Sequence, residues 1–206
     1  MDGARGPSVG EASGRLRATK ERPLPGAAPL GLALFLGSLG VLFVGLVVAV
    51  VLVRFRVEDW RPEQAGGLPW PVWASTALLV VVSLALHRVV GAARADRPSG
   101  VRGGLLVAAA AAGLFLGSQA LAWAELHGRW GGGEVGALRV FTFHALTGTH
   151  AAHVVGGLVP LAVAARRAWR GGYGPDDHGG LRLLATYWHF LDAVWLALLG
   201  VLWALG

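Results

Sequence analysis

Five long apolar stretches run along this chain, and each is long enough to cross a lipid bilayer. They cover residues 30–53, 72–90, 103–126, 140–165 and 183–205. A bilayer core about 30 Å thick needs roughly 20 apolar residues at about 1.5 Å per residue. Because backbone groups cannot stay unpaired in lipid, spans without a barrel pattern must be helical. The sequence therefore predicts an all-α, polytopic transmembrane bundle of five helices, forming one membrane domain over residues 30–206.

The first 29 residues differ from the spans because they are polar and carry five basic side chains. We expect residues 1–29 to form a disordered basic arm. The apolar stretch that follows starts too late and is too long for a cleavable signal peptide. We therefore expect residues 30–53 to be retained as the first membrane span.

Basic residues alternate between the two sides of the predicted bundle. Five lie in the arm and four in each of the second and fourth connections, against five in all on the opposite side. By the positive-inside rule this places the N-terminus in the cytoplasm and the C-terminus on the outer face. The same asymmetry explains the net charge of +6. Because these residues are spread over several loops without interleaved aromatics, nucleic-acid binding is not expected.

The chain offers few metal ligands. It has no cysteine, and its one methionine is Met1, so thiolate and thioether ligands are missing from the spans. No helix carries histidines about 13 residues apart, the spacing that two stacked haems would need, and the carboxylates are too few for a di-iron site. The histidines of the last two spans could still hold one haem between them. A small haem-binding membrane anchor is therefore an alternative. A transporter is a further alternative, although no inverted repeat is visible.

The ionisable residues of the last two spans are candidate functional residues, because charge at membrane depth is costly. The fourth span contains His144, His150 and His153, and the fifth contains His189 and Asp192. At a spacing of three, His150 and His153 share one helix face, as do His189 and Asp192. His153 and Asp192 lie at similar depths, so we expect a link between them. The alternative is that these histidines bond neighbouring helices or lipid headgroups.

Small and uncharged polar residues also mark the spans. Gly148, Ala152 and Gly156 recur at intervals of four in the fourth span, a stripe that lets another helix approach closely. Gln119 lies near the middle of the third span, where we expect it to hydrogen-bond a neighbouring helix.

Two signatures in the last two spans resemble subunit III of haem–copper terminal oxidases. The first is Leu-Thr-Gly-x-His-x-x-His-Val with a following glycine, and the second is Tyr-Trp-His-Phe-x-Asp-x-x-Trp. The matching residues are Leu146, Thr147, Gly148, His150, His153, Val154 and Gly157, and then Tyr187, Trp188, His189, Phe190, Asp192 and Trp195. Looser matches in the earlier spans are Pro71, Thr76, Ser83, Leu116, Gly117 and Gln119. The resemblance covers residues 30–206.

This resemblance implies a non-catalytic subunit of a respiratory oxidase of the cytochrome c oxidase type, in the short five-helix form found in the bacterial inner membrane. It implies no catalytic residue, metal or redox cofactor on this chain, with haem and copper on the catalytic subunit. It also implies a cleft for structural phospholipid and support for the partner's proton uptake and stability in aerobic electron transport. An accessory subunit of a quinol oxidase or nitric oxide reductase is the alternative. The residues expected to link helices or bind lipid are Gln119, Thr147, Gly148, His150, His153, Gly157, Trp188, His189, Asp192 and Trp195.

Two positions depart from the family pattern. Leu39 follows Ser38 where the family commonly has a glutamate, and Ala122 stands where another glutamate is common. These departures put in doubt any proton-linked or lipid-linked role that the family assigns to those carboxylates.

Overall fold

Five long α-helices form the described part of the chain, which in this computed structural model comprises residues 26–57, 68–130 and 133–205. The helices are α1 (Ala27–Arg56), α2 (Trp70–Arg94), α3 (Pro98–Trp130), α4 (Gly133–Trp169) and α5 (Gly179–Leu205). All five are long and apolar enough to cross a membrane. This confirms the predicted all-α transmembrane bundle. Residues 1–25 of the predicted arm lie outside the described residues.

Each of the five helices extends beyond its predicted span. Helix α3 begins at Pro98 and α4 at Gly133, whereas the apolar stretches begin at residues 103 and 140. The length of an apolar stretch matches the thickness of the hydrocarbon core, but a helix can continue beyond that core into the headgroup region. Proline is tolerated in the first turn of a helix, because the N–H that it lacks has no intrahelical partner there. Pro98 therefore fits the start of α3.

A tight connection joins α2 to α3. The backbone N–H of Arg97 donates to the Ala92 carbonyl at 2.9 Å, and that of Asp96 donates to Ala93 at 3.2 Å. Asp96 has a φ of 52°, a left-handed conformation that aspartate tolerates better than most residues. With so short a turn, α2 and α3 pack side by side over most of their length.

Helices α2, α3, α4 and α5 form a closed ring, and α1 lies outside it. Each ring helix contacts its two neighbours, whereas α1 contacts only α4 and α5 among the described residues. The largest fully buried side chains include Phe115, Phe143, Trp188 and Trp195, which fill the centre of the ring. In contrast, α1 buries few side chains, and its bulky residues face outward along most of its length.

Candidate functional site

Three polar side chains bridge neighbouring helices of the ring. The indole Nε1 of Trp195 donates to the hydroxyl of Thr76 at 2.9 Å, which joins α5 to α2. The indole of Trp123 donates to Thr147 at 2.9 Å, which joins α3 to α4. The Tyr187 hydroxyl donates to the carbonyl oxygen of His153 at 2.7 Å, which joins α5 to α4. The structure therefore places Thr147 and Trp195 in interhelical hydrogen bonds.

A buried hydroxyl cluster connects α2 to α3. The Gln119 side-chain amide donates to the Ser75 hydroxyl at 2.6 Å, and the Ser75 and Ser118 hydroxyls lie 2.7 Å apart. Ser75 in turn donates to the Pro71 carbonyl at 2.7 Å. The Gln119 carbonyl oxygen is buried without a hydrogen-bond partner in the described structure. Gln119 thus bonds a neighbouring helix, as its depth in the third span led us to expect.

His150 is enclosed in aromatic rings at the centre of the bundle. Its ring centroid lies 5.1 Å from that of Trp195, 5.7 Å from Phe115 and 6.2 Å from Phe43. The side chain is fully buried, and among the described residues neither ring nitrogen has a hydrogen-bond partner. Because lipid cannot reach it, this histidine contributes to the aromatic core.

His153 and Asp192 face different neighbours. His153 donates from Nδ1 to the Thr149 carbonyl at 2.7 Å, and its ring lies 5.4 Å from that of Phe43 on α1. Asp192 faces α2 instead and interacts with Ser83 of α2 and with His189 of its own helix. Among the described residues, the link expected between His153 and Asp192 is thus not formed, because His153 on α4 lies against α1, whereas Asp192 on α5 faces α2.

Ser83, His189 and Asp192 form a polar cluster between α2 and α5, which we call the α2–α5 cluster. The Ser83 hydroxyl is hydrogen-bonded to Nδ1 of His189, and the Asp192 carboxyl interacts with both residues. The His189 side chain is exposed, whereas Ser83 and Asp192 are half-buried. The cluster therefore opens onto the outer surface of the bundle.

Gly157 permits the closest approach between α4 and α5. A Cβ added there would lie 2.8 Å from Cε1 of Tyr187 and 3.1 Å from Cζ2 of Trp188. The same addition at Gly148 or Gly156 would lie 3.9 Å from its nearest neighbour, an ordinary contact distance. Within the described structure, the packing role expected of the Gly148–Gly156 stripe belongs instead to Gly157.

A deep cleft opens between α1, α4 and α5 near the end of α4. Its volume is about 700 Å³. The residues that line it are Leu32, Phe35, Gly156, Val159, Pro160, Val163, Ala164, Arg167, Tyr173, Gly180, Leu183, Leu184 and Tyr187. All but a few of these are apolar, so the cleft suits a hydrocarbon chain.

The cleft carries its positive charge on Arg167. This side chain donates to Asp177 at 2.5 Å, and its guanidinium carbon lies 4.7 Å from the centre of the Tyr173 ring. Burial raises the pKa of the Tyr173 phenol, while the Arg167 charge acts in the opposite direction. The arrangement places a cation beside an apolar cleft.

Sequence analysis missed Arg167 and Tyr173 as site residues, and it missed Ser75, Ser118 and Trp123 as interhelical partners. The sequence offered two signals for these residues: serine and tryptophan side chains within apolar spans, and a tyrosine within a basic connection. In the described ranges, no group of three or more histidine, aspartate or glutamate side chains could hold a metal ion.

Comparison with known proteins gives consistent matches. The family model for cytochrome c oxidase subunit III matches residues 26–206. Cytochrome c oxidase subunit 3 of Thermostichus vulcanus is 32% identical over 177 residues, covering 85% of this chain and 86% of the relative. The subunit of the same name from a Synechocystis strain is 30% identical over 179 residues, covering 84% and 74%. Cytochrome bo(3) ubiquinol oxidase subunit 3 of Pseudomonas putida is 38% identical over 64 residues, 31% of each chain.

Proposed function

Since this chain belongs to the cytochrome c oxidase subunit III family, we propose that it is a non-catalytic subunit that packs against the catalytic subunit of a haem–copper oxidase and orders lipid beside it. The haem, the copper and the electron transfer would then all reside on partner subunits. Its place would be the bacterial inner membrane, with the N-terminus in the cytoplasm and the C-terminus outside.

The cleft between α1, α4 and α5 is the observation that supports this role most directly. Its walls are apolar over a volume of about 700 Å³, which accommodates an acyl chain rather than a polar metabolite. The Arg167 guanidinium has five N–H donors, more than its bond to Asp177 uses. We infer that it holds the phosphate of a phospholipid whose chain lies in the cleft.

The hydrogen bonds between helices would keep this lipid surface in one shape. Thr147 and Trp195 each accept or donate a bond to another helix. In membranes such bonds are individually modest, about 0.6 kcal/mol on average, but together they set the rotation of each helix. A bundle fixed in this way would hold lipid against the catalytic subunit through many turnovers.

Support for proton uptake would have to come without the family's usual carboxylates. Leu39 and Ala122 occupy those positions, and both side chains are buried in the packed bundle. An apolar side chain cannot carry a proton. We therefore propose that this chain acts on its partner's proton uptake by shielding and stabilising the catalytic subunit.

Filling the cleft tests the proposal. Val163 lines the cleft and is exposed, so Val163→Trp should displace the lipid chain. We expect the purified oxidase to carry less phosphorus per haem and to inactivate several-fold faster during sustained turnover. Val107→Trp, on the exposed face of α3 far from the cleft, is the matched control and should change neither quantity.

Two results would contradict the proposal. One is a Val163→Trp oxidase with the lipid content and turnover lifetime of the Val107→Trp control. The other is a Soret band that follows this polypeptide when it is separated from the catalytic subunit, because that result supports a haem-binding anchor.

A further inference from the structure

A second surface, separate from the lipid cleft, lies on α5 between α1 and α2. Helix α5 contacts both neighbours, but α1 and α2 do not contact each other within the described residues. Helix α1 packs against Tyr187 and Phe190, whereas α2 reaches His189 and Trp195. At about 100° per residue, these contacts leave one side of α5 uncovered. This open strip, the α5 face, consists of Thr186, His189, Ala193, Leu196 and Gly200.

The α5 face is recessed and has room for another helix. Gly200 meets nothing within 4 Å of an added Cβ, and Ala193 is exposed. With α1 on one side and α2 on the other, the small residues form the floor of a groove. Such a floor allows the backbones of two transmembrane helices to approach closely.

The α2–α5 cluster lies at one edge of this groove, deep in the membrane. His189 and Asp192 lie about 15 and 20 Å along α5 from Gly179, and Ser83 lies about 20 Å along α2 from Trp70. Both positions fall near the middle of helices that cross the bilayer. Ionisable residues at this depth normally face protein or water, because hydrocarbon cannot solvate them.

The Asp192 carboxyl group of the cluster can accept a further hydrogen bond. Ser83 has one hydroxyl hydrogen, so it can donate to His189 or to Asp192 but not to both at once. A carboxyl group offers several acceptor positions, and among the described residues the Asp192 carboxyl interacts with Ser83 and His189. A donor on another polypeptide segment can therefore still bind to this carboxyl group.

The outward face of α3 shows the contrast. Its large exposed residues within the membrane span include Leu106, Val107 and Leu114, which lipid tails satisfy without any partner. The α5 face combines an open groove with ionisable side chains near mid-membrane, and a second protein segment can both fill the groove and offer these side chains polar contacts. A lipid chain would fill the groove but would offer them no hydrogen bond.

We propose that the α5 face docks a transmembrane helix of the catalytic subunit, and that this helix presents a hydrogen-bond donor to Asp192 at mid-membrane. The proposal rests on the proposed function, because it assumes that the chain assembles with an oxidase. It adds which face makes the contact and what chemistry the partner helix supplies.

Photo-crosslinking in the intact complex tests the docking face. A benzophenone amino acid is placed at Leu196, which is 52% exposed on the α5 face, or at Leu114, which is 62% exposed on α3. We expect Leu196 to crosslink to a membrane segment of the catalytic subunit with at least tenfold higher yield than Leu114. Equal yields, a higher yield from Leu114, no crosslink from Leu196, or a crosslink from Leu196 to a second copy of this chain would overturn the inference.

The same experiment separates this inference from the proposed function. If the unmodified chain does not purify with the oxidase, the proposed function fails. If the chain purifies with the oxidase but Leu196 does not crosslink to the catalytic subunit, the inference alone fails.

Removal of the acceptor tests the chemistry. Asp192→Ala, which removes both carboxyl oxygens, should reduce the amount of this subunit retained on the detergent-washed oxidase about tenfold, the factor expected for one bond to a charged group. Ser38→Ala is the matched control, because the exposed Ser38 hydroxyl bonds only the Leu34 carbonyl of its own helix. Undiminished retention of Asp192→Ala would exclude the carboxyl group as the docking acceptor, whatever the crosslinking result.

Discussion

The indole of Trp195 donates a hydrogen bond of 2.9 Å to the hydroxyl of Thr76 and so joins α5 to its neighbour α2. The same indole packs edge-on against Phe115, with ring centroids 5.3 Å apart. One side chain thus combines a directional bond with a large buried area. These two contributions can be separated by substitution.

Trp195→Phe should lower the free energy of unfolding in detergent by more than the loss of one interhelical hydrogen bond, about 0.6 kcal/mol, because ring area is lost as well. The hydrogen-bond part is isolated by a double-mutant cycle with Thr76→Val, which should show that the two substitutions are not additive. Trp203→Phe, at a tryptophan that is 71% exposed, should have little effect. Strictly additive losses at residues 195 and 76 would show that the bond contributes nothing.

Gly157→Ala should disrupt the contact between α4 and α5. The added methyl would lie 2.8 Å from Tyr187 and 3.1 Å from Trp188, and the backbones would have to separate to relieve the clash. Overpacking of this kind costs about 1–3 kcal/mol. Gly156→Ala, one residue earlier, meets its nearest atom at 3.9 Å and is the matched control. Thermal unfolding of the two variants should differ clearly, and equal midpoints would contradict the close approach.

Ser75→Ala should destabilise the bundle more than Gln119→Leu. Ser75 lies at the centre of the hydroxyl cluster, so its loss removes hydrogen bonds from both Gln119 and Ser118. A buried polar group left without a partner costs about 1–3 kcal/mol. Gln119→Leu removes one bond but also removes a carbonyl oxygen that has no partner in the described structure. Chemical unfolding of the two variants measures the difference, and the reverse order would contradict the central role of Ser75.

His150→Leu should preserve or raise the stability of the bundle. The imidazole lies among three aromatic rings, and its two nitrogens have no hydrogen-bond partner within the described residues. Replacement of an unpaired buried polar group by an apolar group of similar volume is neutral or stabilising. His144→Leu is the comparison, because His144 bonds the Val140 carbonyl at 2.7 Å. A loss of more than about 2 kcal/mol at residue 150 would reveal a polar partner for its ring.

Helix spacing was enough to predict which histidines share a face. His150 and His153, three residues apart, both contact the Phe43 ring. His189 and Asp192 likewise meet at Ser83. These relationships depend only on the spacing of residues along one helix of 3.6 residues per turn, and that spacing is read directly from the sequence.

Partners on different helices were harder to predict. His153 and Asp192 lie at similar depths, but depth does not determine how each helix is rotated about its axis. Rotation is set by packing over the whole interface, including the close contact at Gly157 that spacing alone did not reveal. The Arg167–Asp177 pair was unpredictable for a related reason, because it depends on the path of the connection between α4 and α5.

The position of α1 outside the ring has a consequence for biogenesis. Synthesis proceeds from the N-terminus, so α1 enters the membrane before the other four helices, and its main packing partner α5 follows after α2, α3 and α4. Helix α2 also depends on α5 to close the ring. Helix α1 must therefore remain in lipid without α5 until the ribosome has delivered the other helices, and a nascent chain that stops after α4 has no finished tertiary structure. Membrane proteases and insertion chaperones could therefore distinguish such a chain from the complete protein by its open bundle.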